Sequence, residues 1–435
     1  MADGNPQSPR LRDAFRALRY YNFRLFFAGQ LISLIGTWMQ TVAQSWLVYR
    51  LTGSSALLGL VGFSSQIPVF LFSPFGGVAA DRHNRHRLII ATQSISMLLA
   101  LIHAALTLSG HVRIWHLFVL SAALGVVNAV DIPARQAFFQ EMVGRDDLIN
   151  AIALNSSMFN CARIVGPAIA GILVAWIGEG WCFFVNGISY IAVIAGLFMM
   201  HVTPRVIHNS KDSAWAHVLE GARFVWSARP IRALLLLVAL ISFGGLQYSV
   251  LMPIFADKIF HSGANGLGIL LGINGAGALG GALIMAARRG IQGLSKWIAV
   301  AAVVFSVSIC LFAVAPNFWM AAILLFIVGF ATMIQFGSTN TLLQMMTPDR
   351  LRGRTISAYS MMYMGTTPIG SLAAGFLAEH IGARITILAG GVCCLIISAV
   401  YSSQLSGIRT EAREMVRSAS AATPEQIAAE GAVSS

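Results

Sequence analysis

Two ionisable residues, Asp131 and Arg163, stand inside long apolar runs of this chain. Asp131 lies in Asn128-Ala-Val-Asp131-Ile-Pro133-Ala-Arg135 and Arg163 in Cys161-Ala-Arg163-Ile-Val. A charged side chain in such a run needs a partner. An acid that trades a proton beside a guanidinium is one way to carry protons where water is excluded. If both runs are helices, their side chains lean toward the helix N-termini, which aims Arg163 at the level of Asp131. The pair then either works in proton coupling, breaking when Asp131 is protonated, or serves as a structural ion pair that fixes helix register. A second constellation, Gly77-Val-Ala-Ala-Asp81-Arg82-His-Asn-Arg85-His-Arg87, sets an acid among bases where one apolar run ends and the next begins. A third is Gly166-Pro167-Ala-Ile-Ala170-Gly171. There, small residues let helices approach closely, and proline removes a backbone donor and bends the helix.

The elements that must position these groups follow from composition. Of 435 residues, 57% are apolar and 11% charged, too greasy for one soluble core. Twelve stretches have the roughly 20-residue length that crosses hydrocarbon: 26–49, 56–80, 88–109, 114–136, 151–176 and 181–202, then 232–256, 265–287, 296–315, 318–343, 355–378 and 384–405. The expected fold is an all-α membrane protein. Sliding the chain 204 residues along itself places Gly59, Gly62, Gly76, Gly77, Gly125, Gly166, Gly171, Gly178 and Gly187 on Gly263, Gly266, Gly280, Gly281, Gly329, Gly370, Gly375, Gly382 and Gly391. Chance would give about two such coincidences, so the chain is a duplicated unit. Two six-helix bundles related by a pseudo-two-fold axis, 26–202 and 232–405, are therefore expected. They would be flanked by a cytoplasmic segment at 1–25, a cytoplasmic linker at 203–231 with an amphipathic helix, and a disordered cytoplasmic tail at 406–435.

Basic residues concentrate on the cytoplasmic side of membrane proteins. Of the 29 Lys and Arg, Arg50, Arg113, Lys258 and Arg384 fall in loops of one parity and Arg163 in a span, leaving 24 on the other side. Both termini are thus expected in the cytoplasm. The net charge of +12 suits the acidic inner leaflet and gives no reason to expect nucleic acid as a partner. The apolar run after Arg24 is a full span without a cleavage site, so it reads as an anchor that stays. The five cysteines lack metal or redox spacing, and His83 and His86 have no acid or thiol partner at ligand spacing. No cofactor, metal site or enzymatic activity is expected, and the chain is expected to be a monomer.

The loop at Gly77–Arg87 resembles the signature loop of the major facilitator superfamily, G-x-x-x-D-R-x-G-R-x-R, with Asn84 in place of a glycine. Asn tolerates the left-handed backbone, which would keep the turn. The resemblance implies that Gly77, Asp81, Arg82 and Arg85 hold a cytoplasmic gate. Gly166, Pro167 and Gly171 resemble the superfamily's antiporter motif, G-P-x-x-G-G, which implies export. Its drug–proton antiporters carry an Arg and a Gln in the fourth span where this chain has Ser121 and Leu124, so their proton mechanism does not transfer. The stretches LRYYNFRLF at 18–26, GTWMQT at 36–41, LTGSS at 51–55, DIPARQ at 131–136 and LNSSMFN at 154–160 are similar to the enterobactin-exporter-like branch, the transmembrane secretion effectors. What the resemblance implies is an inner-membrane exporter of siderophores or drugs, driven by protons and working by alternating access.

In the superfamily the first, fourth, seventh and tenth spans line the cavity. That makes Trp38, Gln40, Gln44, Asn128, Gln247, Tyr248, Gln335 and Asn340 candidate substrate contacts, each alternatively an interhelical hydrogen bond; Gln66 is a polar residue of the second span. Such an amide-rich, mostly neutral lining suits a bulky amphipathic or apolar solute better than a small anion. A metabolite importer, or a receptor without transport, are the competing assignments. At the 204-residue offset Asp81 falls on Met285, Asp131 on Gln335 and Arg163 on Thr367, while Arg85 keeps its charge at Arg289. Proton coupling is therefore expected in the first half.

Overall fold

The computed structural model describes residues 15–144, 146–201, 225–288 and 293–415, without the side chains of Ile149, Asp349 and Arg350. Among these residues there are helices and no strand. Twelve long helices occupy the twelve apolar stretches: α1 (Tyr21–Thr52), α2 (Ser55–Arg82), α3 (Arg85–Leu108), α4 (Ile114–Val143), α5 (Leu148–Ile177), α6 (Glu179–Phe198), α7 (Arg229–Ile259), α8 (Gly263–Ala287), α9 (Leu294–Ala313), α10 (Phe318–Met346), α11 (Asp349–Ile381) and α12 (Ala383–Ser403). Eleven are long and apolar enough to cross a membrane. The exception, α11, carries Thr355, Ser357, Tyr359, Ser360, Thr366, Thr367 and Ser371 along its length. Helices suit this composition because hydrocarbon supplies no hydrogen-bond partners for the backbone.

The chain divides into two compact units, residues 1–51 with 67–209, and 52–66 with 210–435. The cut falls inside the continuous helix α2, just before Pro68. In the first unit α3 packs on α6 and α4, and α5 on α4 and α6. Its core gathers Phe23, Phe26, Ile89, Phe138, Phe139 and Leu197. In the second unit α10 packs on α8 and α9, α12 on α9, and α7 on α11 and α12. Residues 52–66 are held in this unit by backbone contact between Gly59 and Gly375 and by Glu379. That carboxylate accepts from the N–H of Ser55 at 2.7 Å and Ala56 at 3.1 Å, and from the Ser54 hydroxyl at 3.1 Å. It supplies the acid that the exposed donors at the start of α2 favour.

The repeat survives as packing. A Cβ on Gly166 would stand 2.8 Å from the Ile35 carbonyl oxygen and 3.1 Å from the Met39 nitrogen, so α5 and α1 touch through their backbones. Gly370 meets α7 in the same way, at the carbonyl of Phe243, which lies 204 residues beyond Met39. The turns agree as well: Gly178 between α5 and α6 has φ 88°, and Gly382 between α11 and α12 has φ 85°.

The structure alters or adds to the sequence expectations at three places. Helix α7 breaks after Gly244 and resumes at Tyr248, ending in a π turn at Phe255–Ile259. The tail expected to be disordered from 406 is helical over 405–415, with Ile408 and Ala412 buried and Glu411 paired to Arg229 at 3.2 Å. At the other end, a short turn at Arg16–Arg19 is tied down by the buried Asp147, which meets Arg19 at 2.7 Å, Tyr20 at 2.9 Å and Arg16 at 3.5 Å. The amphipathic helix expected in the linker falls outside the described residues except for its last part, as does Arg289.

Because Gly166 is pressed against α1 and Gly77 has open space where a Cβ would go, substitution should separate them. Gly166→Val is expected to destabilise the folded protein by about 1–3 kcal/mol through overpacking, while Gly77→Ala leaves thermal unfolding in detergent unchanged. Equal unfolding temperatures for the two variants would contradict the packing described.

Candidate functional site

Asp131 is buried in the first unit at 2% exposure. Its Oδ1 accepts from the Thr92 hydroxyl at 2.7 Å and from Gln93 Nε2 at 2.9 Å, both on α3. Its Oδ2 lies 2.6 Å from Arg135 Nε, one turn further along α4. The expected pairing of Asp131 with Arg163 is therefore corrected: the guanidinium at i+4 on the same helix takes the acid. Arg163 is half-buried near the midpoint of α5, and among the described residues it meets no acid and donates no hydrogen bond.

Pro133 lies between Asp131 and Arg135. It has no N–H to offer the Ala129 carbonyl, and that oxygen is the atom Gly76 of α2 approaches most closely. The freed carbonyl thus faces a neighbouring backbone, where a Cα–H contact can help satisfy it. At this end of α2 the close approach is made by Gly76, while Gly77 has open space where a Cβ would go.

Where α2 gives way to α3, Arg85 is the hub. Its guanidinium donates to Glu141 at 2.9 Å, Asp81 at 3.1 Å, and the carbonyls of Ala80 at 3.1 Å and Ala137 at 3.3 Å. Arg85 and Glu141 are largely covered, at 11% and 19% exposure, whereas Asp81 is 74% exposed. Arg82 is exposed and takes no part in these bonds. Asn84 does not use the left-handed backbone: with φ −64° and ψ 111° it caps α3, accepting from the Arg87 N–H at 3.1 Å. Glu141 escapes a reading of the signature loop because it stands 56 residues from Arg85.

The expected lining is largely spent on the fold. Gln40 accepts from Asn186 at 2.6 Å, and Gln44 donates to the Ser121 hydroxyl. Gln247 mends the break in α7 by donating to the Ser242 carbonyl at 2.7 Å, and it accepts from Ser371 at 2.9 Å. Tyr248 is buried against Phe312, and Asn340 accepts from Gln344 at 2.7 Å. Gln335 is fully buried with both amide atoms unpartnered. Trp38 and Asn128 remain half-buried, Trp38 with its ring edge-on to Phe159 at 5.5 Å. Pro167 and Gly171 are buried in α5.

Comparison with known proteins adds the family. Residues 12–432 match the transmembrane secretion effector family. The chain is 24% identical over 381 residues to a staphyloferrin A transporter of Staphylococcus aureus, covering 87% of this chain and 95% of that protein. It is 27% identical over 384 residues to the multidrug efflux pump Tap of Mycolicibacterium fortuitum, covering 84% and 91%. Among solved structures it superposes on a D-xylose-proton symporter with TM-score 0.71 at 13% identity, covering 88% and 97%. A bacterial homologue of the lysosomal transporter Spinster gives TM-score 0.67 at 15% identity, covering 90% and 98%. Packing, repeat and family agree that this is a multi-pass membrane transporter of small molecules, not an enzyme, and the chain belongs to the transmembrane secretion effector family of the major facilitator transporters.

Proposed function

We propose that the chain is a proton-coupled exporter of a siderophore or another hydrophobic or amphipathic small molecule, acting as a monomer in a bacterial inner membrane with both termini in the cytoplasm. The observation that carries this is Asp131, an acid buried among apolar helices yet joined to a base and two neutral donors. Protonating it removes the negative charge that holds Arg135 and leaves the guanidinium to seek another partner. Such a change of partner biases a two-state element, here the contact of α3 with α4. The siderophore and drug cargo follow from the relatives named above. Export rests on the Gly166-Pro167 contact with α1, and the basic end around Arg85 acts as the cytoplasmic gate. The six-helix bundles 26–202 and 232–405 are proposed as the moving bodies, with α2 shared between the contact units.

Asp131→Asn keeps the hydrogen bonds to Thr92 and Gln93 but cannot titrate. In everted vesicles it is expected to abolish drug- or siderophore-driven proton flux; coupling at the wild-type level would sink the proposal. Leaving Arg135 uncompensated is expected to cost about 3–5 kcal/mol. The double variant Asp131→Asn/Arg135→Gln should recover much of that stability while staying uncoupled.

At the gate, the pair with the better-covered acid should matter more, since exposed pairs are worth about 0–1 kcal/mol. Glu141→Gln is expected to lower the unfolding temperature and the transport rate more than Asp81→Asn. The opposite order would assign the hub to Asp81.

A further inference from the structure

Arg163 is left over when the charges of the first unit are paired. Among the described residues the acids of that unit are Asp81, Asp131, Glu141, Asp146, Asp147 and Glu179. Arg85 holds Asp81 and Glu141, Arg135 holds Asp131, Arg16 and Arg19 hold Asp147, and Arg50 holds Glu179 at 2.6 Å. Asp146 is exposed in the turn between α4 and α5, far along the helix from Arg163. Among the described residues Arg163 thus has no acid available, although it stands midway along a helix long and apolar enough to span a membrane. A guanidinium stays charged, and such a residue faces protein or a wet cavity rather than lipid. Two aromatic side chains flank its stretch of α5. Trp38 packs edge-on against Phe159, one turn before Arg163, and its Cβ abuts Gly166, three residues after it. The indole therefore lies along the turn of α5 that carries the arginine.

We infer that Arg163 is the anion-binding residue of the transport site and that the carried solute bears a carboxylate on an amphipathic body. Within the exporter proposed above, the planar fork of Arg163 takes the carboxylate by two parallel charge-assisted hydrogen bonds, while Trp38 and Phe159 offer apolar surface to the body of the solute. The solute's negative charge supplies the partner that Asp131 does not. The neutral amide lining expected from sequence no longer argues against an anion, since Gln40, Gln44 and Gln247 are engaged elsewhere.

Binding to the purified full chain in lipid nanodiscs tests this without vesicles or a proton gradient, so its failure leaves export standing, and a failure of export leaves this site standing. Carboxyfluorescein serves as the anionic probe and rhodamine 6G as the cationic one, read by fluorescence anisotropy against empty nanodiscs. Wild type and Arg163→Lys are expected to bind carboxyfluorescein, with citrate competing. Arg163→Gln is expected to weaken the anion by about tenfold or more and to leave the cation unchanged or tighter. Unchanged carboxyfluorescein affinity in Arg163→Gln overturns the inference, as does a wild type that binds neither carboxyfluorescein nor citrate at millimolar concentration. If thermal unfolding finds Arg163→Gln misfolded, the wild type decides by salt: chloride should displace carboxyfluorescein and spare rhodamine, and equal loss of both overturns the assignment.

Discussion

Hydrocarbon offers no hydrogen bonds, so each polar group within the helices must find its partner in protein. Asp131 meets that demand locally. Arg135 neutralises it from the same helix, and Thr92 and Gln93 tie it to α3. The same demand shapes the backbone around it, because Pro133 frees the Ala129 carbonyl and Gly76 presents a bare Cα to it. The acid thus ties α3 to α4, and the proline two residues on opens α4 to close contact with α2. Any process that changes the charge of that acid acts on the packing of α3 against α4.

The duplication shows which constraints are shared. Backbone contact at Gly166 and Gly370, and left-handed turns at Gly178 and Gly382, are properties of a helix bundle whatever it carries. A side chain at such a contact would force the helices apart, so glycine is required in both halves for one steric reason. No comparable reason preserves charge, and there the halves diverge. Helix α2 serves both units, with its first part pinned at Glu379 and its last part resting on α4.

What was legible in the sequence follows from the range of the interactions involved. Helix number and family depend on run length and on motifs contiguous in the chain, and the twelve stretches and the signature loop carry both. The partner of Asp131 was also within reach: Arg135 lies four residues away, on the same face of a helix. Aiming Arg163 across two helices by the lean of their side chains gave weight to a weaker geometric cue than that spacing. Glu141 and Asp147 were not legible, because their partners lie 56 and 128 residues away and depend on how the helices pack. The fate of the glutamines was hidden for another reason. Periodicity places an amide on a helix without saying whether a neighbouring carbonyl, as at Ser242, already waits for it.

Charge asymmetry between the halves then has a direct structural meaning. At the repeat offset Asp131 and Arg135 become Gln335 and Thr339, and these are buried with polar atoms that find no partner. The second unit thus retains polarity at this level without charge, at a cost of about 1–3 kcal/mol for each unpaired buried group. An unpaired amide can accept a hydrogen bond from water or solute but does not titrate, whereas a carboxylic acid is a titratable group. At this level, then, the titratable acid stands in the first unit and its repeat mate in the second is a neutral amide. Arg163, whose repeat mate is the neutral Thr367, adds to that same unit an arginine midway along a spanning helix with no acid partner among the described residues. In the carrier proposed above, proton site and anion site stand in one unit, so the two charges sense each other electrostatically without a signal relayed from one half to the other.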